Sequence, residues 1–465
     1  MSESKFSIKK ALAYGIGQFS DTIAIQMFVF YIFTFYYAVV GLDVNLITLV
    51  YILWSIWNSI NDPLMGTLSD RMGSRLGRRK PFIIISLVPL CIILFLLWTP
   101  VLINETTKFL YFLITAIIFD LCYTTFDLNY ASLFPEMFQD LDERAKANAI
   151  KQVFTVIGLI FAFLLPTFFI PKLDDPQFLS NYSIAGLVLS IIVAAGIIIL
   201  LFFGVKERHE FSQDFRNAPR ILKSLKISIS NKGFRTFIIA NLCYWYVIGM
   251  LPTIVPLYGS FVLQIEEGES ILLGLLLATT FISAAIFLIM WRFIAIKVGM
   301  RKGYMFSNMI FIVTLIPFMF IDNITFAFIF FFLVGIGLGG ALLFGDILLA
   351  AVIDEDELIN PGRTRREGGF YGINALITKL STIFVILSIN LVFNSTGWYV
   401  FNPVLGSTDL VIFGLRSLMV IFPIIALIIG IISIYRFPIT KERYQQIKEE
   451  IEKLHEQKKQ AIRSN

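Results

Sequence analysis

Charge is scarce in this chain. Only 15% of its 465 residues are Asp, Glu, Lys or Arg, where a soluble domain of that length carries about 25%. That shortage excludes an ordinary water-soluble globule. Histidine is nearly absent too: His209 and His455 both lie in polar segments. A histidine-ligated metal or a histidine base inside the apolar stretches is therefore excluded. Cys91, Cys122 and Cys243 fall in apolar runs at unrelated spacings, which suits neither a disulfide framework nor a zinc site. They read as small buried hydrophobes. A cleavable leader is not expected either. Lys5, Lys9 and Lys10 precede an apolar run too long for a signal peptide and without a small-residue cleavage site, so the first span is expected to be retained.

Apolar residues fill the space that charge leaves. They make up 57% of the chain, with 47 Phe and a mean hydropathy of +0.79. The composition is that of an all-α, multi-pass membrane protein whose outer solvent is lipid. The net charge of +5 implies no nucleic-acid partner, because the cations sit in short loops where membrane orientation uses them. A span needs roughly 20 residues. About twelve segments qualify on that measure: 11–40, 44–69, 81–103, 107–135, 143–171, 180–205, 235–264, 270–296, 303–321, 325–353, 368–396 and 410–436. Alternate loops hold the cations, among them Arg71 to Lys80, Arg144 and Lys146, Lys297 to Lys302, and Arg363 to Arg366. The opposite loops offer only Lys108 and Lys172 with acids such as Asp43, Glu266 and Glu267. This asymmetry predicts that both termini are cytoplasmic.

The expected organisation is a six-helix half over 1–206, a cytoplasmic linker over 207–232, a second six-helix half over 233–437 and a charged tail over 438–465. Weak internal repetition supports two pseudo-symmetric halves. Gly77-Arg78-Arg79-Lys80 and Gly299-Met300-Arg301-Lys302 each follow the second span of their half. Such repeats build many transporters, with the substrate site at the repeat interface. In the tail, Ile447, Ile451, Leu454 and Ala461 line one stripe. It reads as a solvated surface helix, with a membrane-surface or partner helix as the alternative.

The stretch from Tyr51 to Pro81 carries the most information. An apolar run holds Asn58, Asn61 and Asp62 on one helical face, is expected to break at Pro63, and passes into a basic loop. A carboxylate in an apolar span is costly unless it faces a bundle interior or a water-filled cavity, which marks it as functional. Other spans add to the set: Gln18, Asp21 and Gln26 in the first, Asp120, Thr124 and Asp127 on one face of the fourth, Lys146 and Lys151 in the fifth, Asp346 in the tenth, and Asn374 with Lys379 in the eleventh. Carboxylate and amide oxygens from the second and fourth spans could ligate a small hard cation such as Na+, or one buried carboxyl could bind and release a proton. Structural pairing of Asp62 and Asp127 with Lys151 or Lys379 is the bland alternative. Asp346 reads as a residue near the cytoplasmic end of its span. The aromatic run Tyr31 to Tyr37 reads as packing surface. Asp354 to Glu357 with Arg363 to Glu367 suggests a cytoplasmic gate of ion pairs, or simply a solvated loop.

These motifs resemble the major facilitator superfamily, and within it the glycoside–pentoside–hexuronide:cation symporters, the family of melibiose permease. The matching pieces run in order along nearly the whole chain: Tyr14 to Gly17, Ile60 to Gly66, Leu68 to Arg71, Gly77 to Pro81, Val205 to Arg208, Asn231 to Arg235, Asp354 to Leu358, Arg365 to Gly368 and Gly414 to Arg416. The resemblance implies a cation-binding set of Asp62, Asp127, Asn58, Asn61 and Thr124. It implies a substrate-binding set of Asp21, Thr22, Gln18, Asp127, Lys151 and Lys379, and a gate of Asp70, Arg71, Arg78, Asp354 and Arg366. Three departures stand out. Asn58 replaces the family's first acid of the second span, which favours H+ over Na+. Asp21 is displaced by one position, leaving Thr22 where the pattern has Asp. Ala131 replaces an aromatic that sugar-binding members carry.

The reading is a monomeric secondary transporter that moves a small solute, a sugar or glycoside, with a cation by alternating access. It uses no cofactor beyond the coupling ion, H+ or Na+, and has no catalytic or metal-binding residues. A lysophospholipid symporter and a transport-inactive sensor or scaffold are the alternatives. An intramembrane enzyme would need a nucleophile–base pair or a metal set, and no His lies in the apolar spans.

Overall fold

Residues 7–71, 76–77, 79–138, 141–205, 229–359 and 367–464 are described by a computed structural model. Among them every regular element is helical. The helices are α1 (Ile8–Thr34), α2 (Val44–Arg71), α3 (Lys80–Leu96), α4 (Glu105–Met137), α5 (Leu141–Leu164), α6 (Leu179–Ile199), α7 (Lys232–Phe261), α8 (Ile271–Val298), α9 (Met300–Leu315), α10 (Ile324–Ile359), α11 (Glu367–Ser395), α12 (Asp409–Met419), α13 (Ile421–Tyr435) and α14 (Lys441–Ser464). Among the described residues eleven helical segments are long and apolar enough to cross a membrane, one of them the pair α12–α13. The stretch expected as the third span forms α3, which is apolar but only 17 residues long. The helix expected to break at Pro63 does not break. α2 runs through it to Arg71, because packing in a bundle lets a spanning helix tolerate a missing N–H.

The chain divides into two compact units. The first holds α1–α6 together with Pro252–Ala278 and Ile386–Leu415, which are the end of α7, the start of α8, the end of α11 and the connection after it. In this unit α1 is almost wholly enclosed, with the aromatic run Tyr31 to Tyr37 fully buried as packing. Close approach explains that. A Cβ on Gly15 would lie 2.4 Å from the Phe154 ring, and one on Gly158 would lie 2.9 Å from Thr22.

One end of this first unit is sealed. Ser270 Oγ donates to the Ile170 carbonyl at 2.6 Å, and the Gly268 amide donates to that of Pro171 at 3.0 Å. Ser260 Oγ donates to Asp174 at 2.9 Å. Asn390 and Asn394 both donate to Asn45 Oδ1, at 2.9 and 3.0 Å. The Val44 amide donates to the Tyr399 carbonyl at 2.9 Å, and the Tyr37 hydroxyl donates to that of Trp398. Trp398 is itself fully buried in a box of Tyr37, Phe261, Phe393 and Phe401.

The second unit holds the start of α7, most of α8, α9, α10, most of α11, and α12 from Arg416 onward with α13 and α14. Glycines of α10 set its packing: a Cβ on Gly337 would meet the Phe311 backbone at 2.7 Å, and one on Gly340 would meet Trp291 at 2.5 Å. The tail does not follow its reading as a solvated helix. Ile447, Ile451 and Leu454 of α14 are buried in a core with Tyr304, Phe344, Leu348, Val352 and Phe370. Three aliphatics on one stripe gain more from that core than from water. Lys441 Nζ donates to the Lys297 carbonyl at 2.9 Å, and Arg443 pairs with Glu355 at 3.8 Å.

Candidate functional site

Polar residues of the first, second, fourth and fifth spans come together inside the first unit, in two groups, while Gln26 is half-buried and Lys146 exposed. The first joins α2 and α4. Thr124 Oγ1 donates to Asp62 Oδ1 at 3.1 Å. One residue earlier, Asn61 is fully buried and turned another way. Its Nδ2 donates to the Asp120 carboxylate at 2.9 Å and to the Asp120 carbonyl at 3.1 Å. Consecutive helical residues point about 100° apart, so Asn61 and Asp62 serve different partners on α4. Asn61 Oδ1 is a buried acceptor with no donor among the described residues. Asn58 lies on the same face and is half-buried.

The second group joins α1, α4 and α5 around Asp21, which is buried. Gln18 Nε2 donates to Asp21 Oδ2 at 3.0 Å and to Thr22 Oγ1 at 3.3 Å. Tyr123 of α4, Asp127 and Lys151 lie close enough to Asp21 to act on it electrostatically. Asp21 Oδ1 has no hydrogen-bond partner among the described residues. Lys151 Nζ sits 5.8 Å above the Phe134 ring. Beside this group, Tyr14 and Tyr130 stack at 4.4 Å and each donates its hydroxyl to the other's carbonyl, at 3.0 and 2.8 Å. That reciprocal pair of bonds fixes α1 against α4, so the two groups share a rigid frame.

Chemically, the arrangement supplies carboxylates and neutral oxygens at membrane depth with one cation beside them. Oxygens of Asp62, Thr124, Asn61 and Asp120 suit a hard monovalent cation, and any of the carboxylates suits a proton. Asp21, Gln18, Asp127 and Lys151 suit the hydroxyls or charge of a polar solute.

Two residues escaped the reading of the sequence. Tyr123 gave no charge signal, although it lies one turn before Asp127 and so on the same face. Asp120 was seen, but its pairing with Asn61 was not. Other expected residues lie elsewhere. Lys379 belongs to α11 in the second unit and is half-buried there. Of the expected gate, Asp354 is half-buried near the end of α10 and acts on Tyr444 of α14. Asp70 and Arg71 form the last turn of α2, with side chains outside the described residues. Arg78, Arg366 and residues 206–228, which include most of the expected 207–232 linker, also lie outside them. No His, Cys, Asp and Glu grouping able to hold a metal occurs among the described residues.

Known proteins agree on family and fold. The family model described as MFS/sugar transport protein matches residues 13–441. An uncharacterized symporter of Synechocystis sp. is 25% identical over 97% of this chain and 98% of its own length. The sodium-dependent lysophosphatidylcholine symporter 1 of Gallus gallus is 23% identical over 100% of this chain and 93% of its own. In fold, the crystal structure of the nucleoside transporter NupG superimposes with a TM-score of 0.67 at 14% identity, covering 92% of this chain and 99% of that one. A symporter matched end to end, a family model over nearly the whole chain and a shared membrane fold leave no room for an enzyme. The chain belongs to the MFS/sugar transport family and is a multi-pass membrane transporter of the symporter type.

Proposed function

We propose that the protein is a cation-coupled symporter of a sugar or glycoside, with H+ as the coupling ion, working by alternating access. The observation that carries this reading is the pair of polar groups in α1, α2, α4 and α5, built at membrane depth where unpaired charge is otherwise excluded. Asp62 and Asp127 are the coupling carboxyls. A proton at Asp127 removes a charge beside Lys151 and Asp21, and one at Asp62 removes a charge beside Thr124 and Tyr123, which changes how the neighbouring hydroxyl-binding side chains are held. Asn58 supports H+ over Na+, since a site with fewer negative ligands holds a bare cation less well.

Alternating access is supported by the sealed end of the first unit. With that end closed, the solute is exchanged at the opposite end. Opening would break the bonds around Asn45, Asp174 and Ser270 and release the coupled pair on the other side.

A lysophospholipid is the second reading. It rests on the lysophosphatidylcholine symporter of Gallus gallus, which aligns over the whole chain, and on Ala131, a small residue where an aromatic platform would hold a sugar ring.

The test is thermal stability of the purified protein with melibiose, glucuronate and lysophosphatidylcholine, across pH and with or without Na+. Hits are then carried into uptake by proteoliposomes under an imposed pH or Na+ gradient. A glycoside shift that grows as pH falls and ignores Na+ is the expected result. A shift that requires Na+ reassigns the coupling ion. A shift with lysophosphatidylcholine alone reassigns the substrate.

A further inference from the structure

The acid groups of the first unit leave one membrane-depth carboxylate unused. Asp346 lies about 20 Å before the last residue of α10, at 1.5 Å per residue. Its side chain is exposed on a helix that is otherwise strongly apolar, and it makes no hydrogen bond or ion pair among the described residues. Exposure to lipid at that depth would cost about 2.5–3.5 kcal/mol or more for a carboxylate. A water-filled cavity removes that penalty.

The surroundings of Asp346 are polar on one side only. Gly345 of α10 faces Asn241 of α7, whose Oδ1 lies 3.9 Å from the position a Gly345 Cβ would take. Asn241 Nδ2 donates to Asn374 Oδ1 of α11 at 2.7 Å. One turn along α7, Tyr244 is buried and lies within electrostatic reach of Asp346. Its hydroxyl makes no hydrogen bond among the described residues. Behind it, Tyr304 of α9 is already committed to the Ala240 carbonyl at 3.1 Å. Of the cations on the packed helices, Arg292 of α8, Arg301 and Lys302 of α9 and Lys379 of α11, none forms an ion pair with Asp346 among the described residues. Asp354 to Glu357 lie at least two turns further along its own helix. Asp346 therefore has one neutral titratable neighbour, Tyr244, able to donate to the carboxylate, and no fixed counter-charge among the described residues.

We propose that Asp346 is a second proton-exchange site, held in the second unit and separate from the acids of α1, α2 and α4. A carboxylate with a permanent cation stays ionised, and one locked into amide bonds stays put. Asp346 has neither constraint. Its exposed carboxylate takes a proton from water as a carboxyl group and returns it to water as a carboxylate, with Tyr244 and the Asn241–Asn374 pair on its polar side. The same rigid helix ends in Asp354 to Glu357 and bears α14. A change of charge at Asp346 is thus applied to the element on which the tail is docked.

The inference rests on the transport reading only for its purpose; the titration stands apart from it. The test uses the full-length protein in lipid nanodiscs. Infrared difference spectra between mildly alkaline and mildly acidic buffer report protonated carboxyl groups by their carbonyl stretch. Asp346→Asn is expected to remove one carboxyl's share of that band, and Asp346→Glu to keep its amplitude but shift its frequency. Parallel labelling with a water-soluble carbodiimide, read by mass spectrometry against the exposed Glu449, is expected to modify Asp346. A band unchanged in both variants overturns the proposal, and so does modification by a lipid-soluble carbodiimide only. If Asp346→Asn fails to fold, the frequency shift in Asp346→Glu decides the matter alone. Asp62→Asn and Asp127→Asn are expected to leave the Asp346 share intact, so failure of the symport reading and failure of this one are told apart.

Discussion

Substituting Gly274 by alanine should unseal one end of the first unit. Gly274 lies in the first turn of α8 against the end of α5. A Cβ there would stand 2.4 Å from the Phe163 carbonyl oxygen, 3.0 Å from its carbonyl carbon and 2.9 Å from Leu164 Cδ2. Two of these atoms are backbone and cannot swing aside, so α8 must retreat by about 1 Å to reach ordinary contact. Overpacking of this kind costs about 1–3 kcal/mol. The cost applies only while α8 lies on α5, so it acts on the sealed arrangement and not on the opened one. The balance between them should move about 5- to 150-fold towards opening. Val262, just after α7 in the same unit, is a reporter for the change, being only 3% exposed. In a background with Cys91, Cys122 and Cys243 replaced by serine, alkylation of Val262→Cys by a water-soluble maleimide should accelerate by that factor when Gly274→Ala is added. Equal alkylation rates in a protein that still melts cooperatively would refute the reasoning, because the close approach would then have no bearing on opening.

The other predictions concern charge and the tail. Asp62→Asn keeps an acceptor for Thr124 and should leave the fold intact while abolishing accumulation of a transported glycoside against its gradient; normal uphill uptake removes Asp62 from the coupling role. Asp174 is buried in the connection before α6, and that burial lifts its carboxyl above the ordinary 3.8, against smaller lowering effects of Ser260 and Lys172. The sealed state therefore holds a proton more tightly than a solvated Asp174 does. Sealing should strengthen as pH falls through the window above 3.8 and weaken as pH rises. Alkylation of Val262→Cys, corrected against an exposed thiol, should follow that trend and lose it in Asp174→Asn. Ile447→Ala removes a fully buried side chain and should cost about 2–5 kcal/mol of tail docking, read as faster proteolysis of α14. Arg443→Ala, whose pair with Glu355 is 3.8 Å long and partly exposed, should cost about 0–1 kcal/mol in the same assay.

Much of the architecture was legible because lipid leaves few options. Long apolar runs separated by charged loops have only helices to form. The spacing of Asp120, Thr124 and Asp127 placed them on one face of α4, and Thr124 does meet Asp62. The limits were of two kinds. Periodicity assigns a face but not a partner, so Asn61 was grouped with Asp62 although it turns to Asp120 instead. Uncharged residues give no signal at membrane depth, so Tyr123 passed unseen beside Asp21. Pro63 was read as a break from rules learned in water, where a helix must supply its own support. Likewise the stripe of Ile447, Ile451 and Leu454 was recognised on the tail, but a stripe does not say what covers it. The answer depends on the ends of α7, α9, α10 and α11, whose assembly no local pattern records.

That docked tail has a consequence for biosynthesis. α14 follows every span in chain order, so each span has left the ribosome before α14 can pack on the second unit. Until then Phe344, Leu348, Val352 and Phe370 lack part of their cover. A chain stopped short, or one whose tail is mutated, keeps that apolar surface on view to the proteases that survey newly inserted membrane proteins. Docking of α14 would thus mark a second unit whose spans have all been inserted and packed.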